Sequence, residues 1–389
     1  MVACLNHKKK KMSVTNEAVA YPINITQSSL MVGLLTDSPV NLIGPPGCAK
    51  SSIVISVAKQ LGWALFDFRM SDKEPPDLAG LPVADVKNKC VEWLQSVGLL
   101  PFKRYSNGKL LPPKWKNLDG KWTDKCIVFF DELDRAMMEV LNVALQLILD
   151  RKVNGHEFYE SVRIVAACNG ESDIGTTQFS EALATRFTHL YIAHNSSENV
   201  DCWVNWARKE KLPAYALSFA KFEPKLVFGE DVSYPERAKS NARTFVTATK
   251  LLENCFRINT PWSTNPAVIN QLIYGSMGRH GGNSLIAWQQ KSAECPSPED
   301  VFKNPKKAKL PKQPGLYFCT AHVLVDAAAP INEEGISVED RRKTRAFIEY
   351  VGRWPSEWKG QFWNLAKDRL TYAESDVYRK WMDSQKVNK

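Results

Sequence analysis

Two patterning regimes divide this chain. Up to about residue 200, short apolar runs bounded by polar or turn residues alternate with helix-period stretches; beyond it only helical spacing remains. Residues 24–35 carry a helix period and lead into the apolar run Val40–Ile43, and a second helix is expected over Ser52–Leu61. Residues 64–70 alternate and stop at Ser71-Asp72, which predicts a second strand. Cys126–Phe130 is unbroken apolar sequence ending in Asp131-Glu132, the pattern of a strand buried on both faces of a parallel sheet. Met137, Leu141, Ala144, Leu145 and Ile148 then share one helical face. Arg163–Cys168 predicts another buried strand tipped by Asn169, and Leu190–Ala193 the last one. Strands alternating with helices predict an α/β fold: a parallel sheet flanked by helices, followed by an all-α lid and tail.

Some segments break this pattern. Glu74–Asp124 is rich in Pro, Gly, Lys and Trp, has little periodicity, and reads as loops and an insertion. Its Trp93, Trp115 and Trp122 suit core or hairpin anchors. In the second half, breaks are expected at Gly281-Gly282 and along Pro296–Pro314, a basic stretch that reads as a connecting loop. The domain expectation is therefore a disordered basic tail over 1–20, an α/β core over 21–200 with its insertion at about 74–125, and a helical lid and extension over 201–389.

Composition narrows the class. The chain has 389 residues, 44% hydrophobic and 24% charged, enough for two or three globular domains. It has no apolar run near the ~20 residues a membrane helix needs, and the lysine-rich N-terminus lacks the apolar core of a secretory signal. Nine scattered cysteines, without a Cys-x-x-Cys pair, point to free thiols in a reducing compartment, so a cytoplasmic location is expected. The net charge of +9 is modest; it suits a protein that binds a polyanionic nucleotide, and it leaves contact with nucleic acid open.

The chemistry concentrates in a few motifs. Gly44-Pro45-Pro46-Gly47-Cys48-Ala49-Lys50-Ser51, with Ser52 after it, lies between a strand and a helix. Small residues let the backbone curl with its N–H groups inward; the helix N-terminus adds partial positive charge, Lys50 a full one, and the Ser51 hydroxyl can reach Mg²⁺. This is a phosphate-binding loop suited to a nucleoside triphosphate. Asp131 and Glu132 have separable roles at a strand tip: Asp131 holds Mg²⁺ with Ser51, and Glu132 polarises the attacking water. Asn169, one strand later, can orient that water or contact the γ-phosphate. Arg186, in Ala-Leu-Ala-Thr-Arg-Phe, is too far along the chain to be placed beside its own phosphates by local geometry, and reads as a cation offered to a neighbouring copy. Arg243 is the candidate for a lid cation that senses the γ-phosphate, with Arg237 as its rival.

The order of these motifs resembles that of the AAA+ ATPases, and their detail the MoxR branch. The supports are Ala49 where the usual loop has Gly, Asp77-Leu78-Ala79-Gly80-Leu81-Pro82, Asp131-Glu132-Leu133-Asp134-Arg135-Ala136 and Ala166-Ala167-Cys168-Asn169. Alanine at position 49 is compatible with a right-handed helical start. Leu133 and Asp134 depart from the Ile-Asn usual there. Tyr274–Gly278 and Arg353–Glu357 are similar to the helical tail of bacterial and phage members. The resemblance implies a hexameric ring, ATP hydrolysis with Mg²⁺ at subunit interfaces, chaperone-like remodelling, and a partner carrying a von Willebrand factor A domain. A nucleic-acid-dependent motor or loader is the alternative. A small-molecule kinase is disfavoured by Arg186 and the large helical tail.

Overall fold

The computed structural model describes residues 20–95, 99–169, 184–193, 197–228, 238, 240–327, 338–366 and 383. By internal packing the chain divides into two compact units, residues 1–45 with 49–193, and residues 46–48 with 194–389. The basic tail expected over 1–20 lies almost wholly outside the described residues.

The first unit is built on five parallel strands. Helix α1 (Ile23–Leu35) precedes β1 (Val40–Ile43); α2 (Lys50–Leu61) follows it and leads to β2 (Ala64–Arg69). The sheet is completed by β9 (Cys126–Asp131), β12 (Val162–Cys168) and β13 (Thr188–Tyr191), in the order β13-β1-β12-β9-β2. The apolar runs explain the centre: all six residues of β9 are buried, and all seven of β12 except half-buried Arg163. The register sets Ile43 beside Cys168 and Asp131 beside Arg69, so the carboxyl ends of β1, β12 and β9 share one edge. Helix α4 (Met138–Asp150) covers the sheet with Val140, Leu141, Ala144, Leu147 and Ile148. Met137 does not join that stripe: it sits in extended backbone before the helix and is exposed. Leu145 is only half-buried.

The segment expected to be loops is ordered into hairpins. After α3 (Pro75–Ala79), β3 (Leu81–Asp85) pairs with β4 (Cys90–Leu94), β5 (Tyr105–Ser106) with β6 (Lys109–Leu110), and β7 (Trp115–Lys116) with β8 (Trp122–Thr123). The Asn107-Gly108 turn has both residues at positive φ, the geometry that matches strand twist in two-residue hairpins. At the β7–β8 turn, Asn117 Oδ1 accepts from the N–H groups of Asp119 and Lys121, and Gly120 takes φ +77°. A fourth small pair, β10 (Lys152–Val153) with β11 (His156–Glu157), joins α4 to β12. The Asp77–Gly80 motif is a capping device: Glu74 and Asp77 cap α3 reciprocally, and Gly80, at φ +83°, turns the chain into β3 where a Cβ would fall 2.7 Å from the Leu94 carbonyl oxygen.

The second unit is helical, as its spacing predicts. Its longest helices are Ala242–Ile258, Pro266–Ser292, Pro314–Ala327 and Val338–Val351. The break expected at Gly281-Gly282 lies instead at Met277-Gly278, where the backbone leaves helical angles. Gly281 and Gly282 remain helical and buried because Met277 and Tyr274 come too close for a side chain. The basic Pro296–Pro314 stretch contains a helix, Pro298–Lys303, started by Ser297 accepting from the Asp300 N–H, with proline in the first turn.

Gly315 is packed against the Trp288 indole, which stacks near Phe222 and donates Nε1–H to Ser218 Oγ at 2.9 Å. A Cβ at 315 would lie 2.1 Å from Trp288 Cη2, so Gly315→Ala must displace that ring. Urea denaturation of this variant is expected to show a loss of about 1–3 kcal/mol; an unchanged midpoint would show that the ring yields freely.

Candidate functional site

The carboxyl edge of the sheet gathers the polar residues that the motifs singled out, as open parallel sheets do for their ligands. The loop Gly44–Ala49 leaves β1, tied to β12 by the Gly44 N–H donating to the Cys168 carbonyl at 3.2 Å. Lys50 opens α2 and is 8% exposed. Its Nζ donates to the Gly44 carbonyl (2.7 Å), the Pro45 carbonyl (3.2 Å) and Asn169 Oδ1 (2.7 Å). All three partners are neutral oxygens, and among the described residues no carboxylate pairs with this ammonium. A buried cation with no carboxylate in contact is costly, and Asp134 acts on it only from beyond ion-pair distance, so the loop favours an anion. Ser51 and Ser52 follow in the first turn of α2, whose leading N–H groups lack intrahelical acceptors and favour a phosphate.

Beside the loop, Ser51 Oγ donates to Asp131 Oδ2 at 2.8 Å. A hydroxyl and a carboxylate in contact are the hard oxygen donors that Mg²⁺ takes alongside nucleotide phosphates, so these two residues fit the metal expected for the site. Glu132 turns off the strand in the left-handed region (φ +54°, ψ +40°). It is held there by its N–H donating to Asp131 Oδ1 (3.0 Å) and by Ser71 Oγ donating to Glu132 Oε2 (2.6 Å). Asp131 therefore stays buried at the strand tip, while the Glu132 carboxylate swings to its half-exposed flank.

Alanine 49 departs from the expectation of a right-handed start: it takes φ +73°, ψ +21°, the left-handed conformation that glycine adopts without strain. Cys126 and Cys168 are buried, as core filling predicts; loss of hydration pushes both thiols far up, and the Cys168 thiol donates to Asn41 Oδ1.

Two participants were not identified from sequence. Ser71, in the turn after β2, fixes Glu132. Asp134, 5% exposed, accepts the Asn169 N–H through Oδ2 at 2.7 Å and so sets the tip of β12 against the turn after β9. The departure from the Asn usual in MoxR proteins at position 134 was visible, but its consequence is a contact between two strand ends, which sequence spacing does not carry.

Arg186 is not part of this cluster. It is exposed in the turn before β13, with its neighbour Phe187 buried. Thr188 pairs with Val40, at the amino end of β1, whereas the phosphate loop leaves the carboxyl end. Arg186 thus lies at the opposite edge of the sheet, roughly 10 Å or more away for a four-residue strand. Arg243 lies in the second unit, exposed in the first turn of Ala242–Ile258, its N–H capped by Asn241 Oδ1 at 2.9 Å. Its rival Arg237 falls outside the described residues.

Burial raises the Asp134 carboxyl above its ordinary value of 3.8, against the opposing pull of the Asn169 N–H and the Lys50 charge. A raised pKa in the fold means that folding favours the protonated acid. The cost to stability is absent below the unfolded value and grows as pH rises through the folded one. Asp134→Asn keeps an acceptor for the Asn169 N–H and removes the charge. In the absence of metal and nucleotide, its urea midpoint is expected to exceed that of the parent at pH 7.5, with the gap closing near pH 4. A parent that is the more stable at pH 7.5 would mean that the charge is compensated by Lys50.

None of the curated proteins compared with the chain matches it. Solved structures with some similarity include the RuvB Holliday junction branch migration motor of Thermotoga maritima, at 14% identity over 93% of this chain and 86% of that one, with a TM-score of 0.36. NtrX from Brucella abortus shows 12% identity over 95% of this chain and 69% of that one, with a TM-score of 0.33. The AAA domain of the dynein-related subfamily matches residues 39–187, the span from the residue before β1 to the residue after Arg186.

Proposed function

We propose that this chain hydrolyses ATP with Mg²⁺ at the interfaces of a ring of identical copies, and uses the cycle to remodel a partner protein. The observation that carries the reading is the split between the two edges of the sheet. Lys50, Ser51, Asp131, Glu132 and Asn169 converge at one edge, and Arg186, free of ion pairs among the described residues, stands at the other. A single copy holds a triphosphate but lacks the external cation that phosphoryl transfer uses; a second copy supplies it.

Each residue has a role that follows from its surroundings. The loop amides of Gly47, Cys48 and Ala49, with Lys50, Ser51 and Ser52, cradle the phosphates, and Gly44, Pro45 and Pro46 shape the loop around them. Ser51 and Asp131 would hold Mg²⁺, which would supply positive charge to offset that of the phosphates. Glu132, fixed by Ser71, draws the proton side of a water toward its carboxylate. Asn169, positioned through its N–H by Asp134, shares Lys50 with the γ-phosphate and registers its loss. Arg243 is the lid cation of this reading. The resemblance to MoxR proteins is what supports a hexamer, a chaperone-like role and a partner with a von Willebrand factor A domain.

Lys50→Ala is expected to abolish nucleotide affinity, whereas Glu132→Gln should bind ATP and stall; normal turnover in Glu132→Gln would remove the water-polarising role. Arg186→Ala should bind ATP yet lose roughly 10³-fold or more in rate. The decisive measurement mixes Arg186→Ala with Lys50→Ala protein. Where a loop from the first meets an arginine from the second, a competent interface forms and activity returns. No recovery at any ratio, with assembly intact, would place Arg186 outside the neighbour's site.

A further inference from the structure

The insertion carries a surface that hydrolysis does not use. Residues 103–125 hold seven basic residues against two acidic ones, in a chain whose whole excess is nine. Lys103 is paired with Glu157 at 2.9 Å. The other six (Arg104, Lys109, Lys114, Lys116, Lys121 and Lys125) are exposed and form no ion pair among the described residues. They sit on two neighbouring hairpins, β5–β6 and β7–β8, which hang from one anchor. Tyr159 OH accepts from the Arg104 N–H and donates to the Leu111 carbonyl, and its ring meets Trp115 edge-on at 5.6 Å. Trp115 also packs edge-on against Phe66 of β2.

The tryptophans of these hairpins therefore divide. Trp115 is structural. Trp122, on the paired strand, is 61% exposed, and the Lys114 and Lys116 ammoniums lie 4.7 and 5.4 Å from its ring centre. Tyr105, on the other hairpin, is 63% exposed. Two like charges gathered over one open ring repel each other, and the ring only partly offsets this. A phosphate between them would relieve the repulsion, and a base could take the ring face. A solvated basic face needs no exposed rings, and an acidic peptide does not use ring faces; a flexible strand of alternating phosphates and bases uses both features.

We propose that hairpins β5–β6 and β7–β8 bind single-stranded nucleic acid, with Trp122 and Tyr105 as stacking platforms and Lys114 and Lys116 as phosphate contacts. The surface is separate from the phosphate loop, so the proposal stands whether or not hydrolysis occurs at the subunit interface.

The test uses the full chain without nucleotide and a fluorescein-labelled dT 20-mer, with anisotropy followed across salt concentration. The parent is expected to bind, with affinity falling steeply as salt rises. Trp122→Ala should weaken binding roughly 5- to 100-fold. Lys114→Gln with Lys116→Gln should flatten the slope of log affinity against log salt by about 1.4, two contacts at ~0.7 each. Urea midpoints of both variants should match the parent, because Trp115 and Tyr159 are kept. Three results would overturn the proposal: no binding at low salt, Trp122→Ala binding as tightly as the parent, or polyglutamate displacing the 20-mer at equal charge. The last would reassign the surface to an acidic protein.

Discussion

The whole arrangement turns on one ammonium group. Lys50 is buried at the start of α2 with only neutral oxygens around it, two from the loop that precedes it and one from Asn169 on a different strand. A cation taken from water without a counter-charge in contact costs several kcal/mol, and three dipoles with the more distant Asp134 recover only part of that. The fold accepts the cost because the sheet places β1 and β12 side by side and the strong apolar burial of β9 and β12 sustains it. An anion arriving at the loop supplies the missing charge. It also competes for the proton donors that Asn169 now shares, which ties the tip of β12 to the state of the loop.

From that contact the coupling runs through covalently short steps. Asn169 is held by Asp134, Asp134 is two residues past Glu132, and Glu132 is braced by Ser71 at the end of β2. Three adjacent strands, β12, β9 and β2, thus share one hydrogen-bonded edge. The hairpins that begin after β2 are anchored to the same sheet through Trp115 on Phe66. This anchoring is local packing within the first unit, and it gives the exposed basic surface a packed base.

Much of this was legible in the sequence, for reasons that differ by element. The buried strands announced themselves because five apolar residues in a row, Cys126–Phe130 and Ile164–Cys168, have few other uses, and the acidic tip of β9 had no structural excuse. Lys50, Ser51, Asp131, Glu132 and Asn169 converge as their spacing implied. The hairpins were not legible because their strands are two residues long and polar, leaving no period to detect; Asn107-Gly108 and Asp119-Gly120 were the available signals. Gly281-Gly282 misled because glycine serves close packing as well as breaks, and only the neighbouring side chains distinguish the two. The Ser71 and Asp134 contacts join strand ends far apart in sequence, which no local pattern encodes.

The site is bounded by two residues in a conformation that costs a non-glycine residue about 1–2 kcal/mol. Ala49 closes the phosphate loop at φ +73°, and Glu132 leaves β9 at φ +54°. Strain of this kind persists only where neighbouring contacts over-determine the backbone. Glu132 has such contacts in Asp131 and Ser71. For Ala49 the constraint is positional: the residue ends the loop and its carbonyl accepts the Ile53 N–H, so it belongs to the first turn of α2 at the same time. Glycine would remove the strain but would leave the unfolded loop more states to lose on folding, about 0.4–1 kcal/mol. The two effects are of similar size, so alanine is nearly neutral for stability while it restricts the alternatives open to the loop. A cradle for a charged ligand gains from that restriction, because amides that already point inward need not be reordered when the anion binds.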